Sequence, residues 1–406
     1  MSANAAASPQ TAVFLHIGLP KSGTSYLQSV LWDSRQQLAD RGVLVPGTSP
    51  MSHNLAVWDL MGRRARGADR PQVAGAWAAL VDEVHAWTGA STVLSEEFLA
   101  FARPRQVRRA VRAFAPAEVH VVVTVRDLAR VLVGAWQQEL AKGRSWTWDE
   151  YAAAVRDPEQ GPASAGMAFW LRQDVARVLD TWEQEVPRTR IHVVTAPPPG
   201  SPRELLVQRF ATAAGLDPSW LVPGDHPGNV SVGAAEAEVL RRLNELLGDR
   251  LNERQYTAVV ANGVRSVLQE RGRGSLALPD DQHAWVSERA SVTVEELQQR
   301  RYDVTGDLQD LLPRPGDGAA SRPDAVPASE LADAALTALS AVVERHAALW
   351  SRARARTEGP AVVDQGLAGS ARAAATRARV AALGVADRSR LARRLAIRYL
   401  NRSPRG

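Results

Sequence analysis

A lysine enclosed between two glycines carries the first chemistry in this sequence. Gly18-Leu-Pro20-Lys21-Ser22-Gly23-Thr24-Ser25 follows the apolar run Ala12–Ile17 and leads into a segment with helical spacing. Strand, glycine loop and helix in that order can cradle a phosphate, because main-chain N–H groups and the positive end of the helix dipole converge on the turn. The spacing Gly18-x4-Gly23 equals that of a nucleotide-binding P-loop, but Thr24 stands where that motif has its lysine, which has moved to position 21. A lysine after the second glycine reaches β- and γ-phosphates, whereas one inside the loop sits nearer a single 5′-phosphate and its bridging oxygen. The loop therefore suits a donor with one phosphate and a transferable group better than it suits ATP.

Two further places offer polar groups at the ends of apolar runs. Arg126 follows Val119–Val125, the most apolar strand pattern in the chain. A guanidinium there can meet a phosphate in bidentate fashion and keeps its charge when partly buried. Ser95-Glu96-Glu97 follows the short run Thr92–Leu94. Adjacent carboxylates at a strand end point in different directions, so at most one faces a cleft.

With Pro20, Lys21, Ser22, Gly23, Thr24 and Ser25 at the end of its first strand, the chain resembles the sulfotransferases that use 3′-phosphoadenosine 5′-phosphosulfate (PAPS). The likeness spans roughly residues 11–313 and is loose beyond the two nucleotide motifs. It implies an α/β, P-loop nucleoside-triphosphate-hydrolase-like fold: a central parallel sheet flanked by helices, with a helical C-terminal extension. It also implies that Ser22 to Ser25 bind the 5′-phosphate, that Lys21 stabilises the transferring group and that Arg126 holds the 3′-phosphate. The family pattern has a serine eight residues after that arginine. Here Gly134 occupies the place, and its N–H or the Arg130 side chain is expected to substitute.

Sulfuryl transfer is an in-line displacement, so it needs a positioned hydroxyl or amine, a base for its proton and cations around the departing phosphate. No metal is needed if Lys21 and main-chain donors neutralise the charge, and no metal-ligand spacing such as HExxH occurs. Glu97 is the first candidate base and Glu96 the second, while His53, in the loop after Val43–Val45, is the imidazole alternative. His16, two residues before the loop on an apolar strand, reads as a core histidine. Trp136-Gln137-Gln138 with Lys142 resembles an acceptor-facing stretch, although Trp136 reads equally well as a core aromatic. Asn229-Val-Ser231 and Arg301–Leu308 are weaker likenesses, the first a possible donor contact and the second a turn. The expected acceptor is a carbohydrate, lipid or secondary metabolite. Two alternatives stay open: a P-loop kinase using ATP and Mg²⁺, and a non-catalytic nucleotide-binding interaction protein.

Positioning these groups requires alternating strands and helices. Strands are expected at Ala12–Ile17, Val43–Val45, Thr92–Leu94, Val119–Val125 and Ile191–Val194, with the fourth at the sheet centre. Helices are expected between them at Thr24–Asp40, Val73–Trp87, Arg105–Phe114, Leu128–Ala141 and Met167–Glu185. Later candidates are Arg203–Ala214, Ala234–Leu247, Glu253–Glu270 and Ala284–Arg301. Residues 1–10 are expected to be a disordered terminus, 11–313 the main domain, 314–328 a Pro- and Gly-rich linker and 329–406 a helical, Arg-rich extension that includes a helix over Ser329–Arg356.

The 406 residues contain no cysteine, which removes disulfides, thiolate metal sites and a cysteine nucleophile. No run approaches a membrane span and no signal peptide is written at the start, so a soluble cytoplasmic protein is expected. The net charge of +5 is unevenly placed: residues 360–406 hold ten arginines and two acids, or +8, which leaves the other 359 residues at −3. A slightly acidic body argues against a nucleic-acid substrate. The tail, with arginines interleaved among apolar residues over Ser389–Leu400, could lie on an anionic membrane surface or a partner protein.

Overall fold

The computed structural model describes residues 12–62, 71–222, 224, 232–271, 276–314, 323 and 325–357. Residues 1–10 and the Arg-rich tail beyond 360 lie outside them, as do Asn229 and Ser231. Six strands form one parallel sheet: β1 (Ala12–His16), β2 (Val43–Leu44), β3 (Ser91–Ser95), β4 (Glu118–Val125), β5 (Ile191–Thr195) and β6 (Asp303–Thr305), in the order β2-β3-β1-β4-β5-β6. The expected central strand is β4. Its run Val-His-Val-Val-Val-Thr-Val is β-branched at almost every position, and Val121, Val122 and Val123 are fully buried. Val121 and Val123 face one layer with Leu15 and Val193, while Val122 faces the other with Phe14 and Val194.

Helices cover both faces. On the first layer lie α3 (Ser52–Leu60), α4 (Ala76–Ala86), α5 (Pro104–Ala113) and α9 (Val175–Glu183); on the second lie α1 (Thr24–Asp33), α2 (Arg35–Ala39) and α10 (Glu204–Ala213). α9 shows how the layer is built. Val175, Val178, Leu179 and Trp182 recur at helical steps and are all buried against the sheet. A third cluster joins α6 (Leu128–Ala141), α7 (Trp148–Arg156), α8 (Ala163–Gln173), α11 (Ala234–Leu247) and α14 (Asp280–Arg300) around Trp136, Trp148 and Phe169. Between α11 and α14 the chain runs through α12 (Glu253–Tyr256), a π-helical stretch Thr257–Val264 and α13 (Arg265–Arg271). α15 (Ala328–Thr357) sets Ala334 and Ala338 into a small cluster with Val239 and Leu268. Contacts divide the chain into a unit of residues 1–342 and one of 343–406. No described helix is long and apolar enough to cross a membrane.

Several boundaries depart from the periodicity for local reasons. The expected helix Thr24–Asp40 breaks at Ser34, whose hydroxyl accepts from the Val222 N–H at 2.9 Å. The expected helix Met167–Glu185 breaks at Asp174, which leaves helical backbone geometry to cap α9 by accepting from the Arg177 N–H at 3.0 Å. Glu253–Glu270 is interrupted by the π-helical stretch. α3, α7 and the edge strand β6 have no counterpart among the expected elements.

Candidate active site

β1 ends at His16, and the loop that follows turns back through three residues with left-handed backbone: Gly18 (φ +85°), Lys21 (φ +70°) and Gly23 (φ +98°). A side chain would be strained at both glycines. A Cβ on Gly18 would lie 3.0 Å from Glu97 Cβ, and one on Gly23 would collide with Leu206. Lys21 adopts the same region at a cost of about 1–2 kcal/mol for a residue with a Cβ. Its peptide is tied from two sides: Arg126 Nη1 donates to Lys21 O at 3.2 Å, and Gln173 Nε2 donates to Pro20 O at 3.0 Å. The N–H groups of Gly23, Thr24 and Ser25 have no partner among the described residues and form the free end of α1.

The side chains of the loop point in opposite directions. Ser22 is 1% exposed and faces inward, with Oγ donating to Leu19 O at 2.5 Å and lying 2.5 Å from Thr124 Oγ1. Its hydroxyl is therefore engaged within the fold. Thr24 donates its hydroxyl hydrogen to Glu97 Oε2. The Lys21 stem passes α6 at Gly134, where an added Cβ would make ordinary contact with Lys21 Cδ at 3.7 Å. Burial pulls the Lys21 ammonium down to about 8; Glu97 opposes that fall, while Lys142, Arg265 and Arg126 reinforce it.

The two adjacent carboxylates diverge as their strand-end position requires. Glu97 stands over Gly18 and Thr24, on the loop side. Glu96 is buried on the other side, where Oε1 accepts from the Phe98 N–H at 3.2 Å and caps the 3-10 turn Glu97–Phe101. Burial pushes Glu96 up to about 7, Glu97 adding to the rise, while the Phe98 N–H and the Asn54 side chain oppose it. His53 is also buried. Nε2 donates to Pro46 O at 2.9 Å, so Nδ1 accepts from the Ser95 N–H at 3.3 Å, and burial lowers its basicity.

Arg126, at the end of β4, holds one buried nitrogen without a partner among the described residues, Nε. Burial lowers its guanidinium to about 10, neighbouring Arg130 contributes in the same direction, and Asp127 opposes. Arg130 pairs with Asp127, the residue that caps α6, and donates through Nη2 to Pro197 O at 3.0 Å. It also lines a cleft of about 290 Å³ with Tyr26, Pro197, Pro202, Arg203 and Leu206. That cleft opens beside the loop, because Tyr26 follows Ser25 and Leu206 packs on Gly23.

Lys21, Thr24, Glu97, Arg126 and Gly134 are thus brought together, whereas Glu96 and His53 face away from the loop into packed surroundings. Trp136 is a core residue, its Nε1 donating to Trp146 O at 3.0 Å and its ring meeting Trp148 edge-on. Gln137 donates to Val232 O at 2.7 Å, and Lys142 shares Glu139 with Arg172. The cleft residues of α10 and of the loop after β5, and the tie from Gln173, escaped sequence reading. A run of Pro197-Pro-Pro-Gly-Ser-Pro202 after an apolar strand was the available signal for the cleft.

No family model matches the sequence, and no curated protein matches it. Among solved structures the chain is similar to a sulfotransferase from Alicyclobacillus acidocaldarius at 16% identity and a TM-score of 0.34, over 52% of this chain and 83% of that one.

Proposed function

We propose that the chain is a sulfotransferase that moves a sulfuryl group from PAPS to a hydroxyl or amine of a carbohydrate, lipid or secondary metabolite. The observation that carries this reading is the position of Lys21: it lies inside the loop, over Gly134, with Glu97 as its charged neighbour and Arg126 fastening its carbonyl. The residues fit a doubly anionic nucleotide. The free N–H groups of Gly23, Thr24 and Ser25 suit one phosphate, and the orphaned Arg126 Nε, in a guanidinium fixed at a strand end, suits the other. When bound, PAPS supplies the sulfuryl group. Lys21 balances the negative charge left on the 5′-phosphate, and Glu97 takes the acceptor proton while Thr24 orients its carboxylate. Gly134 adds no hydroxyl, and a Cβ there would only touch the Lys21 stem.

The kinase alternative loses ground on one observation. Asp127, the strand-end carboxylate available for Mg²⁺, caps α6 and pairs with Arg130. Calorimetric titration of the purified chain with 3′-phosphoadenosine 5′-phosphate (PAP) and with ATP–Mg²⁺ tests the reading. Tighter PAP binding that Lys21→Ala weakens is the expected result. No PAP binding, or tighter ATP–Mg²⁺ binding, overturns it.

A further inference from the structure

Behind the loop runs a chain of polar contacts that the proposed chemistry does not use. Its partners come from three neighbouring strands: His16 at the end of β1, Ser95 at the end of β3 and Thr124 on β4. All are buried. His16 Nδ1 lies 2.7 Å from Ser95 Oγ, His16 Nε2 lies 3.1 Å from Thr124 Oγ1, and Thr124 Oγ1 lies 2.5 Å from Ser22 Oγ.

Every hydrogen in this chain has one possible place. Leu19 O can only accept, so the Ser22 hydroxyl donates to it. Ser22 Oγ then has no hydrogen left for Thr124, and Thr124 must donate to Ser22. Thr124 Oγ1 in turn must accept from His16 Nε2–H. A neutral imidazole then presents a lone pair at Nδ1, and Ser95 donates to it. Complete burial, which holds His16 down at about 3, keeps the ring neutral. The main chain of Thr124 grips the same loop, its N–H donating to Gly18 O at 2.7 Å and its O accepting from Leu19 N–H at 2.6 Å.

We propose that His16 is a positioning residue: as a neutral ring with its hydrogen on Nε2, it holds the inner side of the anion-binding loop and the strand end that carries Glu97 in one fixed register. The proposal rests on the reading of that loop as an anion site. His16 touches no ligand. It acts through Thr124 and Ser22 on one side and through Ser95 on the other, and Ser95 is gripped a second time when its N–H donates to His53. Its ring meets Phe210 at a steep angle, 5.0 Å between centroids.

Two measurements on the full chain test this. In protein labelled with ¹⁵N-histidine, the His16 resonances, assigned by their loss in His16→Gln, should show the Nε2–H tautomer unchanged between pH 8 and pH 5. A titrating His16, or hydrogen on Nδ1, overturns the proposal. In the second measurement, Thr124→Val, which keeps shape but removes both hydroxyl links, should weaken PAP binding about tenfold, and Thr124→Ser should restore most of the affinity. A Thr124→Val chain that binds PAP like the wild type overturns the positioning role. A wild type that binds no PAP while His16 shows the fixed tautomer overturns the nucleotide reading and leaves the hydrogen-bond chain standing.

Discussion

The Arg126 guanidinium donates to the carbonyl of Lys21, at 3.2 Å and across 105 positions of sequence, so the two cations of the site are mechanically joined before any anion arrives. Two positive side chains repel, and the link through a carbonyl lets them share a site without pairing. Arg126→Ala should therefore remove the proposed 3′-phosphate ligand and release the Lys21 peptide together. We expect PAP affinity to fall at least about tenfold, with secondary structure retained, measured by calorimetry and circular dichroism.

Lys21 gives the site a pH dependence with a definite sign. Burial brings its pKa from the ordinary lysine value to about 8, so the ammonium is present below that pH and is lost as pH rises through it. A bound anion favours the charged form. PAP affinity should be highest below pH 8 and decline towards pH 9, and the decline should be absent in Lys21→Ala; a titration series across that range reads it directly.

Glu96 carries the opposite sort of signature, in stability. Its folded pKa, raised to about 7, exceeds the unfolded value, so the folded state keeps a proton that the unfolded state has lost, and stability falls as pH rises from about 4.5 to 7. Glu96→Gln keeps an oxygen for the Phe98 N–H and carries no charge. The variant should melt at a higher temperature than the wild type at pH 8, with a gain of up to about 3 kcal/mol, and the difference should shrink at pH 5. Thermal melts at the two pH values measure it.

Gly23→Ala meets two obstacles at once, a left-handed backbone angle of +98° and the Leu206 side chain. A loss of about 1–3 kcal/mol is expected. Adding Leu206→Ala should not restore it, because removing the neighbour leaves the backbone strain in place; chemical denaturation of the single and double variants distinguishes the two contributions.

The sheet was legible because its strands are short apolar runs with turn residues at their ends. The helices α6 and α11 have the boundaries their periodicity implies, Leu128–Ala141 and Ala234–Leu247. The loop and Arg126 could be read because both are local patterns. The contacts that orient them could not. Gln173 reaches Pro20 across 153 positions and His16 reaches Thr124 across 108, and no local rule encodes such pairs. A faint trace existed, since His16, Ser95 and Thr124 are polar residues at or next to the C-terminal ends of strands whose preceding residues are mostly apolar. The inward turn of the Ser22 hydroxyl was equally hidden, because Ser22 lies among Lys21, Gly23 and Thr24 in the sequence and only its buried partners distinguish it.

The strand order places β1 and β4 side by side, with the chain leaving β1 towards one edge of the sheet and leaving β4 towards the other. Their loops diverge, which makes this pair of strand ends the topological switch point of the sheet. The Lys21 loop follows β1 and Arg126 follows β4, so the distance between the two halves of the site is inherited from the spacing of paired strands, about 4.8 Å, and owes little to loop length. Insertions in the crossover from α6 to α9, which lies beyond β4, can then vary without altering the spacing of the Lys21 loop and Arg126.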